Sequence, residues 1–169
     1  MNLAHDLDRR IAYGVVGGTF AGLLFLLANM WYADGQGLPA VAPLYDISTI
    51  FYFSDKPDPQ PINAAVGLVM HLTLAAAFGA MLAVLAPLAR GAARLAGLGA
   101  AFGLVLYIVN FQILGRLVFE WFQVGPNQTF EVFAHVGYGL LVIPFVMRFA
   151  AASSRSPATA PSAARPAAR

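Results

Sequence analysis

The sequence predicts an all-α fold, a bundle of four transmembrane helices, and three observations lead to this prediction. Hydrophobic residues make up 59% of the 169 residues and charged residues only 11%, whereas a soluble domain is about half apolar and a quarter charged. Four apolar stretches reach the roughly 20 residues that cross a bilayer. Charged residues differ in sign between alternate connections. A soluble fold of this size has too little interior for so much apolar surface, so we expect lipid to surround the chain.

The first element is a polar lead at residues 1–10, followed by an apolar run at 11–33. This run is too long for a signal peptide, whose apolar region has about 7–15 residues. Trp31 and Tyr32 close it, as aromatic anchors at a membrane interface do. We therefore predict a first helix that is retained.

The outer loop at 34–61 is rich in Pro, Gly and Asp, but 44–53 (LYDISTIFYF) differs from the rest of it. That segment is too short to span a bilayer and too aromatic for a free linker. We expect a short helix or turn at the interface. A strand, or a partly buried lid over the mouth of the bundle, are the alternatives.

Three further spans are predicted at 62–86, 95–119 and 130–150. Pro87 ends the second span, and Pro144 is expected to kink the fourth. An aromatic pair that follows the third span is expected to anchor it at the outer interface; the pair is Trp121 and Phe122.

Orientation follows from the charges outside the spans. One side carries eight arginines and two aspartates, which are Arg9, Arg10, Arg90, Arg94, Arg148, Arg155, Arg165, Arg169, Asp6 and Asp8. The other side carries two basic and six acidic residues, which are Lys56, Arg116, Asp34, Asp46, Asp55, Asp58, Glu120 and Glu131. The positive-inside rule then places both termini in the cytoplasm. The tail at 153–169 cannot build a core and is predicted to be a disordered basic cytoplasmic segment.

Spacings repeat between the two halves of the chain. The first and third spans each have two glycines four residues apart and an asparagine seven residues later: Gly18, Gly22 and Asn29, and Gly99, Gly103 and Asn110. The second and fourth spans each have a histidine followed four residues later by a small residue: His71 and Ala75, and His135 and Gly139. This pattern indicates either two parallel helical-hairpin repeats or a coincidence in a composition rich in Gly, Ala and Leu.

Small residues also form stripes. Gly14, Gly18 and Gly22 share one helix face, and so do Gly99 and Gly103, because a step of four is close to one turn. Such stripes let membrane helices approach closely. They predict a helix contact inside the chain or, alternatively, the contact surface of a homodimer or larger membrane complex.

Eight polar residues fall in the outer half of their helices: Asn29, His71, Asn110, Gln112, Arg116, Glu120, Glu131 and His135. Isolated polar groups are costly in hydrocarbon, so we expect an outward-facing polar pocket. Arg116 is expected to form an ion pair with Glu120 or Glu131. We expect a ligand or proton pocket formed by the two histidines and the two asparagines of this set, which are His71, His135, Asn29 and Asn110.

The two histidines have several interpretations. Each can be a structural group bonded to a backbone carbonyl or an asparagine, a proton relay or ligand contact, or a ligand of haem b or a metal. A site formed by both histidines and Glu131 is chemically acceptable, but its spacing is no known signature, so we predict no metal site and no cofactor. Cysteine is absent, and no nucleotide-binding loop, HExxH or nucleophile elbow is present, so no catalytic residue is predicted.

Three segments carry a resemblance to known proteins: GGTFAGLLFLLANMWYADG, GLVMHLTLAAAFG and FEVFAHVGYG. They resemble small four-helix bacterial inner-membrane proteins of uncharacterised function, loosely the YagU-type group. The shared features are glycine stripes and a histidine followed by a Phe-Gly or Tyr-Gly step, here His71 with Phe78-Gly79 and His135 with Tyr138-Gly139. The resemblance covers about 11–150 and implies a bacterial inner-membrane location.

Three hypotheses for function follow. The leading one is a non-enzymatic accessory or stress-related membrane component built around the polar pocket. The second is a small oligomeric transporter that uses His71 and His135. The third is a b-type haem or quinone-linked electron carrier. The predicted partners are the lipid bilayer and a second copy or larger membrane complex; nucleic acid is not expected, because the basic residues are scattered between apolar spans.

Overall fold

The computed structural model describes residues 3–154, and within them the chain is entirely helical and has no strand. The α-helices are α1 (Leu3–Gly35), α2 (Ala42–Tyr52), α3 (Pro61–Leu85), α4 (Ala92–Tyr107), α5 (Gly115–Leu117), α6 (Trp121–Val124) and α7 (Gln128–Ser154). A 3-10 turn (Ala86–Leu88) follows α3, and a π-helix (Ile108–Leu114) joins α4 to α5. Most of the predicted tail, residues 155–169, lies outside the described residues.

Four helical segments are long and apolar enough to cross a membrane: Leu7–Gly35, Pro61–Leu88, Ala92–Leu117 and Gln128–Arg148. Each span carries a large apolar side chain that is more than half exposed, namely Val16, Val69, Val105 and Phe133. Lipid solvates such surface and water does not. The predicted fold class, an all-α bundle of four spanning helices, is confirmed, and the chain has the build of a multi-pass membrane protein.

Two antiparallel hairpins make up the bundle. Helix α1 packs against α3, α4 packs against α7, and the hairpins join where α1 also contacts α7. The start of α1, the end of α7 and the α3–α4 connection therefore lie at one end, here called the termini end, while α2, α5 and α6 lie at the opposite end, the loop end.

The predicted packing glycines all lie at contacts inside the chain. A Cβ atom on Gly14 would lie 2.5 Å from the carbonyl oxygen of Gly79, and one on Gly99 would lie 2.7 Å from that of Gly139. Cβ atoms on Gly18, Gly22 and Gly103 would overlap α3 or α7 as well. Helices that meet backbone to backbone gain close dispersion contacts. The stripes thus serve the intramolecular contact that was one of the two alternatives.

The predicted interfacial segment is helix α2, which covers part of the loop end. It lies against α3 where Gly67 leaves room for the carbonyl group of Leu44. Ser48 and Thr49 are buried, whereas Phe51 is 61% exposed. The segment therefore presents one face to the bundle and its aromatic end to the surroundings. It is the predicted short helix and is partly buried as in the lid alternative, while its place at the membrane interface stays a prediction.

The aromatic pair after the third span does not anchor it at the interface. Trp121 and Phe122 are buried, because the chain leaves its helix at Leu117 and folds back toward the bundle as α6. The indole Nε1 of Trp121 donates a hydrogen bond of 2.9 Å to the hydroxyl of Thr49. α6 is thereby tied to α2 across the loop end.

Candidate functional site

A cavity of about 130 Å³, here called the chamber, lies inside the loop half of the bundle. Its wall is mostly aromatic and aliphatic, with Phe25 from α1, Phe78 from α3, Phe111 from the π-helix and Phe122 from α6. A second cavity of about 630 Å³, the vestibule, lies at the loop end. Both cavities are lined by the same five residues, here called the neck: Asn29, Pro43, Asp46, Pro126 and Glu131. The chamber therefore adjoins the vestibule through the neck.

The chamber is closed on the side of the termini end. Ala21, Leu82 and Val142 have no exposed surface there, and they belong to the main apolar cluster of the described residues. Interiors packed in this way leave few voids larger than a water molecule. The chamber is accordingly closed toward the termini end and adjoins the vestibule toward the loop end.

His71 lines the chamber and ties α3 to α1. Its Nε2 lies 2.8 Å from the carbonyl oxygen of Gly22. A carbonyl oxygen can only accept, so Nε2 carries the proton and donates. Gly22 has no side chain to separate the two helices here, since a Cβ on it would overlap Ala75. His71 is therefore bonded to a backbone carbonyl, which is one of the predicted alternatives, and the partner is Gly22.

His135 is buried on α7 and bonds within its own helix. Its Nδ1 lies 2.8 Å from the carbonyl oxygen of Glu131 and 3.5 Å from the Oε2 atom of the same residue. The ring of Phe25 meets it edge to face at a centroid distance of 4.9 Å and also stacks on His71 at 5.7 Å. Phe25 therefore contacts both imidazoles.

The neck holds two carboxyl groups. Glu131 is only 4% exposed, and it interacts electrostatically with Asp46 of α2. Burial raises the pKa of Asp46 from its usual 3.8 to about 6 because desolvation disfavours the charged form. Among the described residues, no lysine or arginine lines either cavity. The neck therefore concentrates acidic groups without a lysine or arginine beside them, and the base nearest to Glu131 is the imidazole of His135.

The two predicted asparagines also line the chamber, but they are held differently. The Nδ2 group of Asn29 donates to the carbonyl oxygen of Phe25 over 3.2 Å. Asn110 lies in the π-helix, a widened turn that is frequent at functional sites. Together with the histidines and Glu131, the structure thus brings five of the predicted pocket and ion-pair residues to one cavity.

The expected ion pair of Arg116 is not formed among the described residues. Arg116 is exposed and donates to the side-chain oxygen of Gln112 over 3.0 Å. Glu131 turns inward to the neck, and Glu120 is exposed in the turn before α6. The expectation assumed one uninterrupted α-helical face, whereas the π-helix and the early helix end at Leu117 shift these residues out of line.

Hydrogen bonds behind the chamber wall connect Gln112 to Tyr107 and Gln128, two residues that the sequence analysis did not single out. Gln112 donates to the hydroxyl of Tyr107 over 2.8 Å, and that hydroxyl donates to Gln128 over 2.9 Å. Gln128 in turn donates to the carbonyl oxygen of Phe122 over 2.7 Å. Asp46 was likewise not predicted as a pocket residue. The feature of the sequence that could have identified it is a single charged residue inside an otherwise apolar and aromatic segment.

The metal alternative would need three or more donor side chains at one point. Within residues 3–154, no three His, Asp or Glu side chains are placed to hold a metal ion.

Comparison with known proteins adds no family assignment. No protein-family model, curated protein or solved structure matches the chain. The argument for function therefore depends on the site itself.

Proposed function

We propose that the chain is a non-enzymatic accessory protein of the bacterial cytoplasmic membrane that binds a small ligand in the chamber. The observation that supports this proposal is a chamber open through the neck to the vestibule and closed beneath by fully buried side chains. A concave, mostly apolar site with a few convergent polar groups is the usual form of a small-molecule site. A transmembrane pathway would need an opening at both ends.

The proposed orientation puts the vestibule outside the cell and both termini inside. Arginines gather at the termini end, where the described residues include Arg9, Arg10, Arg90, Arg94 and Arg148. The positive-inside rule assigns that end to the cytoplasm. The resemblance to small four-helix inner-membrane proteins supports the bacterial location, with the lipid bilayer as the surrounding partner.

Labelling of single introduced cysteines tests the orientation. The wild type gives no labelling background, because the chain has no cysteine. A single cysteine at Asp55 is expected to react with a membrane-impermeant maleimide in intact cells, and one at Arg90 only after lysis. The reverse pattern would overturn the proposed orientation.

Native mass spectrometry of protein extracted with its own lipids tests ligand binding. We expect a bound small molecule in the wild type and its loss in Ile47→Trp, which fills the chamber from α2. Ile62→Trp is the matched control, since Ile62 is 66% exposed and lines neither cavity. A ligand retained in Ile47→Trp, or turnover of a substrate that is lost in His135→Ala, would contradict the proposal.

A second candidate is an oligomeric transporter, favoured by the position of both histidines in the chamber wall. Transport would require the packed floor at Leu82 and Val142 to open, and two copies to complete a pathway. Solute flux into proteoliposomes that exceeds that of protein-free liposomes, and that falls in His71→Ala and His135→Ala, would favour this candidate over the first. An absorbance spectrum of the purified protein tests the third hypothesis, because a Soret band would reveal haem.

A further inference from the structure

We propose that the chamber takes a primary organic ammonium ion, with its nitrogen at the neck between Asp46 and Glu131 and its apolar body among the aromatic side chains. This inference rests on the proposed function and specifies the chemical class of the ligand. It is carried by the hydrogen-bonding inventory of the chamber wall.

Most hydrogen-bond donors in the wall are already bonded to the protein. Two of these bonds cross between helices: the Tyr138 hydroxyl donates to the carbonyl oxygen of Ala75 over 2.6 Å, and His71 donates to Gly22. Three more are the donations already described from the His135 Nδ1, the Asn29 Nδ2 and the Trp121 Nε1. Of the amide and ring donors in the described wall, only the Asn110 amide has no such bond. A ligand therefore finds few free donors.

Acceptors, by contrast, remain free. The second ring nitrogen of a neutral histidine is an acceptor, and within the described residues neither the Nδ1 of His71 nor the Nε2 of His135 has a hydrogen-bond partner. The carboxyl oxygens of Asp46 and Glu131 add further acceptors at the neck. A primary ammonium group supplies three N–H donors, so it matches this excess.

Charge favours the same ligand class. The polar groups of the neck are Asp46 from α2, Glu131 from α7 and Asn29 from α1. The other titratable groups nearby, His71 from α3 and His135 from α7, line the chamber. A buried carboxyl group, Glu131, and a half-buried one, Asp46, with no lysine or arginine beside them are unfavourable as anions unless a proton or a cation compensates them. A cation from outside satisfies both, whereas an anion would add a third like charge.

The aromatic wall accommodates the rest of the ligand. Phe25, Phe111 and Phe122 contribute ring surfaces to the chamber, and a cation near such faces gains further attraction. The space of about 130 Å³ corresponds to on the order of ten water-sized probes. We therefore expect a compact ammonium compound with one ring or a short chain.

Isothermal titration of the full-length protein in nanodiscs at pH 7.5 tests the inference with four probes of similar shape. These are 2-phenylethylammonium, its N,N,N-trimethyl derivative, neutral 2-phenylethanol and anionic 3-phenylpropanoate. We expect the primary ammonium to bind at least about tenfold more tightly than the alcohol, since hydrogen bonds to charged groups are the stronger ones. The trimethyl derivative should be weaker than the primary ammonium because it has no N–H donor, and the carboxylate should not bind.

Variants locate the binding. Asp46→Asn and Glu131→Gln should each weaken the primary ammonium about tenfold or more, while the exposed controls Asp55→Asn and Glu120→Gln should leave it unchanged. In a Trp31→Phe background, Trp121 is the single remaining tryptophan, and its fluorescence should change on binding. If the neutral or the anionic probe binds as tightly as the primary ammonium, the inference is overturned, while the proposal of a ligand pocket is not affected. Failure of all four probes would overturn the inference as well, while the native-mass experiment tests the pocket separately.

Discussion

In the α1–α3 hairpin and in the α4–α7 hairpin, the two helices meet at glycine residues, yet the histidines of the two hairpins form different hydrogen bonds. A Cβ on Gly18 would overlap the carbonyl group of Ala75, and one on Gly99 would lie 2.7 Å from that of Gly139. In the first hairpin His71 then donates across to α1, whereas in the second His135 donates back to Glu131 on its own helix. Similar packing thus accompanies a hydrogen bond between helices in one hairpin and a hydrogen bond within a single helix in the other.

The largest expected effect is on stability, and it tests whether both hairpins depend on close contact between their helix backbones. Gly18→Leu and Gly99→Leu should each destabilise the bundle by more than about 3 kcal/mol, because the contacts are backbone and cannot yield. Gly97→Leu is the matched control, since a Cβ there meets nothing within 4 Å. Thermal unfolding in detergent measures the effect, and equal midpoints for Gly99→Leu and Gly97→Leu would contradict the packing described.

The next prediction separates the histidines. His71→Ala should lower the free energy of unfolding by about 1–3 kcal/mol, since it removes an interhelical hydrogen bond and leaves the Gly22 carbonyl unpaired. His135→Ala should have its main effect on binding of 2-phenylethylammonium. Denaturant titration and calorimetry on both variants measure this difference. Identical losses of stability and affinity in the two variants would show that the hairpins do not differ in this way.

A pH dependence belongs to α2, which lies outside both hairpins. The pKa of Asp46 is raised by burial from 3.8 to about 6, so the folded state binds a proton that the unfolded state has lost. Stability therefore falls as the pH rises from about 4 to about 6 and stays lower above it. Asp46→Asn should raise the unfolding midpoint at pH 7.5 and leave it unchanged near pH 3.5. The control Asp55→Asn should leave the unfolding midpoint unchanged at both pH values. A midpoint for Asp46→Asn that is lower than that of the wild type at pH 7.5 would refute the assignment of this pH dependence to Asp46.

The smallest expected effect concerns the tie between the α2 lid and α6. Trp121→Phe removes the hydrogen bond to Thr49 and should cost about 1 kcal/mol. Hydrogen exchange should then speed up in α2 and remain unchanged in α1 and α3. Uniformly faster exchange across the bundle would mean that the bond supports the whole fold and not the lid alone.

The spans could be predicted from the sequence because the hydrophobic effect acts on residue type alone. Apolar length defined all four spans to within a few residues, and the glycine steps indicated close helix contacts. Glu131, by contrast, was expected to pair with Arg116, since that inference used α-helical periodicity across a segment that contains a π-helix. Asp46 was not predicted in the pocket because its position depends on how α2 folds over the bundle, which is a tertiary property.

The π-helix at Ile108–Leu114 sets the rotational phase of everything that follows it in the third span. Removing one residue from this turn would restore ordinary helix geometry and rotate the downstream chain by about 100°. The indole of Trp121 would then leave Thr49, and the aromatic side of the cavity would lose its support. Single-residue deletions here should accordingly be far more disruptive than deletions in the exposed stretch around Lys56, because the number of residues in the π-helix determines which side chains of the third span reach the chamber.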